Sequence, residues 1–106
     1  MKTAKPTSRT TKPKLRHVVV TTANRGIFIG QTDAPVGAPV IVLTGGRNVF
    51  FYTAETDGFV GIASKGIFRG AKVGPAADRL ELRNITAVID ASREAVETWA
   101  KVGWGS

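Results

Sequence analysis

The stretch of sequence that decides the fold is HVVVTTANRGIFIGQ, residues 17–31. It contains two runs of strand-forming residues, His17–Thr22 and Ile27–Gln31, which flank Asn24 and Arg25-Gly26. β-Branched and aromatic side chains favour strands, and Asn and Gly adopt the positive φ angles that tight hairpin turns require. The stretch therefore predicts an antiparallel β-hairpin at the start of the domain.

The same kind of pattern continues to about residue 90. Short apolar runs alternate with turn residues, and ten of the 12 glycines lie between Gly26 and Gly74. Further strands are expected at Val40–Thr44, Val49–Thr53, Phe59–Ala63, Ala71–Val73, Arg79–Arg83 and Ile85–Ile89, with Gly45-Gly46 closing the first of them. The predicted fold is mainly β, a small and strongly bent β-barrel or sandwich of six to seven short strands.

One helix, Ser92–Val102, is expected at the C-terminal side of these strands. Ser92 is a favourable N-cap residue because its hydroxyl can accept a hydrogen bond from a free amide of the first turn. Ala95, Trp99 and Val102 recur on one helix face. That face is predicted to dock on the β-domain.

Charge is distributed unevenly along the 106-residue chain, whose formal net charge is +7. Residues 1–16 contain six basic residues and no acidic residue, whereas the other 90 contain nine basic and eight acidic residues. The six basic residues are Lys2, Lys5, Arg9, Lys12, Lys14 and Arg16. We therefore expect a basic, disordered or extended arm over residues 1–15 and a single, nearly neutral domain over residues 16–106.

Composition argues against several kinds of chemistry. The chain has no cysteine, which excludes disulfides, thiolate catalysis and cysteine-ligated zinc. No apolar run approaches the roughly 20 residues that span a bilayer. The single histidine, His17, lacks an obvious carboxylate partner, and Glu55 and Asp57 are explained as turn residues. No phosphate-loop motif occurs. We expect no catalytic residue, no metal ion and no cofactor.

The candidate binding residues fall into three groups. The six cations of residues 1–16 are typical of an extended segment that neutralises a polyanion. Three other basic residues are candidate phosphate contacts, namely Arg47, Arg69 and Lys72. Phe51 lies in a strand with bulky apolar residues on both faces, and Trp104 lies beyond the helix. Both aromatic residues are candidate contacts to another subunit.

Two resemblances to known families add expectations. The segments VVVTT…RGIFIG and FRGAKV, residues 18–30 and 68–73, resemble the first hairpin and a later Arg-Gly segment of Sm-like barrels. Over residues 16–100, VVVTT…RGIFIG, VGPA, ITAVID and SREAVETW, together with Arg47-Asn48 and Gly58-Phe59, resemble an uncharacterised family of small phage and prophage proteins. This second resemblance implies a phage or prophage origin, in the bacterial cytoplasm or a virion. It implies no particular activity, and the basic arm is not part of it.

Three functions are compatible with these patterns. The first is a non-enzymatic, oligomeric binding protein of phage type whose arm contacts an anionic partner, in particular nucleic acid. The second is a structural protein of the virion, acting in capsid decoration, cementing or assembly. The third is a phage sponge for a host signalling nucleotide, with Arg47, Arg69 and Lys72 holding its phosphates. We expect a homo-oligomer and no membrane partner.

Overall fold

The computed structural model of the protein describes residues 15–68 and 70–101. Within these residues there are six strands: β1 (Arg16–Thr22), β2 (Gly26–Thr32), β3 (Ile41–Phe51), β4 (Lys72–Val73), β5 (Ala77–Leu82) and β6 (Ile85–Asp90). Two α-helices accompany them: α1 (Gly58–Ser64), between β3 and β4, and α2 (Arg93–Lys101), after β6.

The six strands form one antiparallel sheet in which β6, β1, β2 and β3 are successive neighbours. The outer edge of β3 pairs first with β5 and then with β4. No pairing among the described strands joins β5 to β6, so the sheet is not closed. The mainly β prediction is therefore confirmed, whereas the barrel and the two-sheet sandwich are wrong.

The sheet is nevertheless strongly curved. β5 and β6 lie at its two edges, yet only Arg83 and Asn84 connect them. Three Cα–Cα steps from Leu82 to Ile85 cover at most about 11 Å. The two edges must therefore approach each other at this end of the sheet. The backbone turns there at Asn84, whose φ is 57°.

The predicted hairpin is confirmed. β1 and β2 pair in antiparallel register, with Val18 opposite Gly30 and Val20 opposite Phe28. Asn24 has a positive φ of 67°, as the turn between the strands requires. The three valines of β1 are fully buried, which means that both faces of this strand lie in cores.

Gly45-Gly46 does not end a strand, and this part of the prediction is wrong. β3 runs through both glycines for 11 residues. Ile29 of β2 pairs with Arg47, but two residues further on Gln31 pairs with Thr44, so β3 contains one extra residue at this point. The first glycine has a φ of 66°, which an L side chain rarely adopts. The pair therefore forms a β-bulge, which a pattern along one strand does not distinguish from a turn.

The strand expected at Phe59–Ala63 is also wrong, because this segment is helix α1. Phe59 and Val60 favour a strand by composition, but both are exposed, and residues 61–63 are buried one after another. A Cβ at Gly61 would lie only 1.5 Å from the carbonyl oxygen of Thr56. Glycine thus allows the helix to pack directly on the preceding turn.

Each face of the sheet buries its own apolar cluster. The helix-side cluster lies between the sheet and the two helices and comprises Val19, Ile29, Val49, Ile62, Ala63, Ile67, Ala71, Val73, Ala95 and Trp99. The opposite cluster comprises Val18, Val20, Ile41, Leu43 and Leu82, and Leu80 packs against it. The predicted alternation of Leu80 and Leu82 is therefore confirmed.

Helix α2 confirms the prediction over the described residues, which do not include Val102. The Ser92 hydroxyl caps its start by accepting a hydrogen bond from the Ala95 amide at 3.1 Å. Ala95 and Trp99 are buried against the sheet. No helix within residues 15–68 and 70–101 is long and apolar enough to cross a membrane.

The start of α2 also satisfies the end of α1. The Ser92 amide donates to the carbonyl of Ala63 at 2.8 Å, and the Ser92 hydroxyl donates to that of Ser64 at 3.2 Å. The indole nitrogen of Trp99 donates to the carbonyl of Ile62 at 3.1 Å. Carbonyls at a helix end lack partners within the helix, so these bonds fix the position of α2 on α1.

Candidate functional site

A cleft with a volume of about 220 Å³ opens between the first three strands and the C-terminal half of α2. Its apolar walls include Ile29, Val96 and Trp99. Its polar side chains belong to His17, Gln31, Thr44 and Arg47. This combination of apolar walls with a few convergent polar groups is typical of small-molecule sites.

Cross-strand register builds the polar part of the cleft. His17 of β1 pairs with Gln31 of β2, and Gln31 pairs with Thr44 of β3. Directly paired residues of an antiparallel sheet share a face, so these three side chains form one row. Arg47 belongs to the next row, opposite Ile29.

The bulge in β3 explains why Thr44 and Arg47 line the same cleft. Residues three apart in a regular strand lie on opposite faces of the sheet. The extra residue at Gly45-Gly46 shifts the alternation of side chains by one position. Arg47 therefore lies on the same face as Thr44. The two glycines thus place a hydroxyl and a guanidinium on the same face of the sheet, in one cleft.

Arg47 is fixed in the cleft by two backbone carbonyls. Its Nε donates to the oxygen of Gly74 at 2.7 Å, and its Nη1 donates to the oxygen of Trp99 at 3.2 Å. Burial lowers the pKa of the Arg47 guanidinium, which still remains protonated near neutral pH. Arg47 forms no ion pair within the described residues. Its charge is therefore balanced there by carbonyl dipoles alone.

His17 is held against the aromatic wall of the cleft. Its ring lies edge-on to that of Trp99, with 6.1 Å between centroids and an interplanar angle of 65°. The Trp99 ring is itself fixed by the hydrogen bond to Ile62. No group of three or more His, Cys, Asp or Glu side chains within the described residues could hold a metal ion.

Arg16, the last of the six cations near the N-terminus, joins three parts of the domain. Its Nε forms an ion pair with the carboxylate of Asp90 at 3.0 Å, and its Nη1 donates to the oxygen of Ala34 at 2.6 Å. It therefore has a clear structural role. The other five cations lie outside the described residues: Lys2, Lys5, Arg9, Lys12 and Lys14.

The three candidate phosphate contacts are not brought together in the described structure. Arg47 lies in the cleft, on the helix side of the sheet. Lys72 is exposed on β4, next to Val73, which is buried in the helix-side cluster. Because side chains alternate along a strand, Lys72 lies on the other face from Arg47. Arg69 lies outside the described residues.

The candidate subunit contact Phe51 is at the surface. It pairs with Lys72 at the end of β3, and 55% of it is exposed. Val49 is buried, whereas Phe50 is as exposed as Phe51. The strand therefore has bulky apolar residues on both faces, as expected. The face that carries Val49 lies in the helix-side cluster. Trp104 lies outside the described residues.

The chain belongs to a family defined by a domain of unknown function, DUF6948, whose model matches residues 15–99. The match includes the whole sheet and most of α2, and it leaves the cationic N-terminal segment outside. Its extent agrees with the resemblance over residues 16–100, but the family description mentions neither phages nor Sm-like proteins. No curated protein and no solved structure matches the chain.

Sequence reasoning missed most of the cleft. Gln31, Thr44 and Val96 carry no motif, and they meet only through pairing and helix docking. The one available signal was Gly45-Gly46 directly after Thr44, since a glycine pair inside an apolar strand pattern indicates a bulge.

Proposed function

We propose that this protein is a non-enzymatic, homo-oligomeric binding protein of phage or prophage origin, whose basic N-terminal arm contacts nucleic acid. Its place of action is then the cytoplasm of the bacterial host or the virion. The observation that carries the proposal is the separation of charge. Residues 1–14 contain five basic residues and no acidic one, whereas residues 15–99, which match the family, contain nine basic and eight acidic residues.

Five of the nine described basic residues, including Arg79, form ion pairs or hydrogen bonds with the domain itself. Lys65 pairs with Asp57, and Arg83 pairs with Glu81 at 2.7 Å. Arg16 and Arg47 are held as described above. Besides Arg47, four basic residues form no ion pair within the described residues: Arg25, Lys72, Arg93 and Lys101. The dense, uncompensated charge of the arm is therefore the better match to a polyanion.

The test is the salt dependence of binding to duplex DNA and to single-stranded RNA. If the five cations of residues 1–14 contact phosphates of a duplex, log affinity falls with log salt with a slope of about −4.5. Deleting residues 1–14 should abolish salt-sensitive binding. A variant with the five arm cations changed to Gln should behave like the deletion, and a scrambled arm of equal charge should bind like the native chain. Unchanged binding after the deletion contradicts the proposal.

A second candidate, a structural protein of the virion, is favoured by the exposed Phe51 at the end of β3. A large apolar side chain at the end of a sheet strand is a suitable contact for another subunit. We expect Phe51→Ser to lower the oligomeric order in native mass spectrometry. Val36→Ser is the matched control, because Val36 is a still more exposed apolar residue in the loop before β3. Absence of the protein from purified virions would exclude this function.

The nucleotide sponge stays a prediction. The separate placement of Arg47 and Lys72 does not support a common phosphate site within one subunit. Calorimetry with cyclic dinucleotides tests it directly.

A further inference from the structure

The cleft between α2 and the sheet contains a positive charge that has no negative partner among the described residues. Arg47 is half-buried, and two of its nitrogen atoms, Nε and Nη1, donate to backbone carbonyls. Its Nη2 forms no hydrogen bond with the described residues, and no carboxylate of these residues lines the cleft. A guanidinium has five N–H donors, so Arg47 retains donors for a ligand while its position is fixed.

Three polar side chains line the same cleft as this charge. His17, Gln31 and Thr44 form the adjacent row across β1, β2 and β3. An imidazole, a carboxamide and a hydroxyl can each donate a hydrogen bond to an anionic oxygen. Because the register of three paired strands sets their spacing, this part of the cleft needs little ordering when a ligand binds.

The remainder of the cleft suits a flat apolar group. Ile29, Val96 and the ring of Trp99 form its walls. A buried cavity of about 150 Å³ is large enough to bind benzene, and this cleft has a volume of about 220 Å³. The difference leaves room for one small polar substituent on a six-membered ring.

We infer that the cleft is a binding site for a small organic anion, an aromatic ring bearing one carboxylate or phosphate group. The anionic group contacts Arg47 and the polar row, and the ring packs against the apolar wall that Val96 and Trp99 form. The site lies wholly within residues 17–100 and is independent of the basic arm. Carboxylate and phosphate share the same recognition chemistry here.

The experiment is a titration of the full-length, isotope-labelled protein, followed by NMR. The probes are benzoate, phenyl phosphate, the neutral benzamide and inorganic phosphate. We expect saturable shifts of the His17 and Trp99 resonances with the aromatic anion. Benzamide should bind at least tenfold more weakly than benzoate, and inorganic phosphate at least tenfold more weakly than phenyl phosphate. The tighter of the two aromatic anions identifies the preferred anionic group.

Three variants test the location of the site without disturbing the hydrogen bonds of Arg47. Ala100 is an exposed residue of α2 that lines the cleft, so Ala100→Phe should fill the cleft and abolish binding. Glu94→Phe introduces the same ring at an exposed position of the same helix outside the cleft and should leave binding unchanged. Thr44→Val removes one hydroxyl and should weaken binding about threefold to tenfold.

Three results would overturn the inference. They are equal binding of benzoate and benzamide, full binding by Ala100→Phe, and no saturable shift of His17 or Trp99 with any probe. Deletion of residues 1–14 should leave the titration unchanged, whereas it should abolish binding of nucleic acid. The two proposals can therefore fail separately.

Discussion

The two faces of the sheet are buried in different ways. The helix-side cluster is covered by α1 and α2, which are joined to each other and to β3 by bonds such as Trp99 to Ile62 and Arg47 to Trp99. The opposite cluster is formed by strand residues, with Ala34 and Ala38 of the loop before β3 packed against it. Helix ends carry unpaired backbone groups, whereas paired strands do not. Polar side chains such as those of Arg47, Ser92 and Trp99 therefore donate to free helix carbonyls where the helices cover the sheet. The cleft lies on the same face.

The largest expected effect is that of Trp99→Ala. The change removes a buried indole from the helix-side cluster, breaks its hydrogen bond to Ile62 and takes away a wall of the cleft. We expect a loss of about 4 kcal/mol in the free energy of unfolding, measured by urea denaturation. A loss below about 1.5 kcal/mol would show that α2 contributes little to this face.

Leu43→Ala tests the opposite cluster. Leu43 is fully buried there, so we expect a loss of about 3 kcal/mol in the free energy of unfolding. Leu43 does not line the cleft, and the His17 and Trp99 resonances of the folded variant should therefore stay unchanged. Large shifts of both resonances would show that the two faces are coupled.

Thr98→Val tests the polar link between α2 and the segment after α1. The Thr98 hydroxyl accepts a hydrogen bond from the Ile67 amide at 2.8 Å and donates to the Ala95 carbonyl at 2.6 Å. Without it the Ile67 amide has no partner, at a cost of about 2 kcal/mol. Faster hydrogen exchange at Ile67 should accompany the loss. Thr44→Val is the matched control and should cost below about 1 kcal/mol, because Thr44 is exposed and its hydroxyl forms no hydrogen bond with the described residues.

The smallest expected effect is that of Glu81→Gln on the outer surface of β5. The Arg83 guanidinium, by its hydrogen bond and its charge, lowers the pKa of the exposed Glu81 carboxyl, and Arg79 adds to this effect. A lowered pKa in the folded state stabilises the protein above the ordinary pKa of glutamate, and this contribution is lost as the pH falls through the lowered value. The stability difference between the native chain and the variant should therefore be small near neutral pH. It should vanish in acid and in about 1 M salt. A difference that grows in acid would contradict this assignment.

Much of the fold could be predicted from local patterns. The hairpin of β1 and β2, the alternation of Leu80 and Leu82, and the Ser92 cap of α2 all depend on residues close together in the chain. The same reasoning failed at α1, because the contact between Gly61 and the Thr56 carbonyl leaves no periodic signal. It also failed at sheet closure, which depends on whether β5 and β6 pair across the sheet edges.

The sequence by itself determined the mainly β class, the first hairpin, the helix that follows β6 and the separation between a cationic N-terminal segment and a nearly neutral remainder of the chain. Each of these follows from composition or from the period of side chains along one segment. Only the tertiary structure decided that Gly45-Gly46 is a bulge, and hence that Thr44 and Arg47 share a face with His17 and Gln31. The physical reason is that a bulge is a relation between two strands. The sequence of either strand alone does not contain the register that joins them.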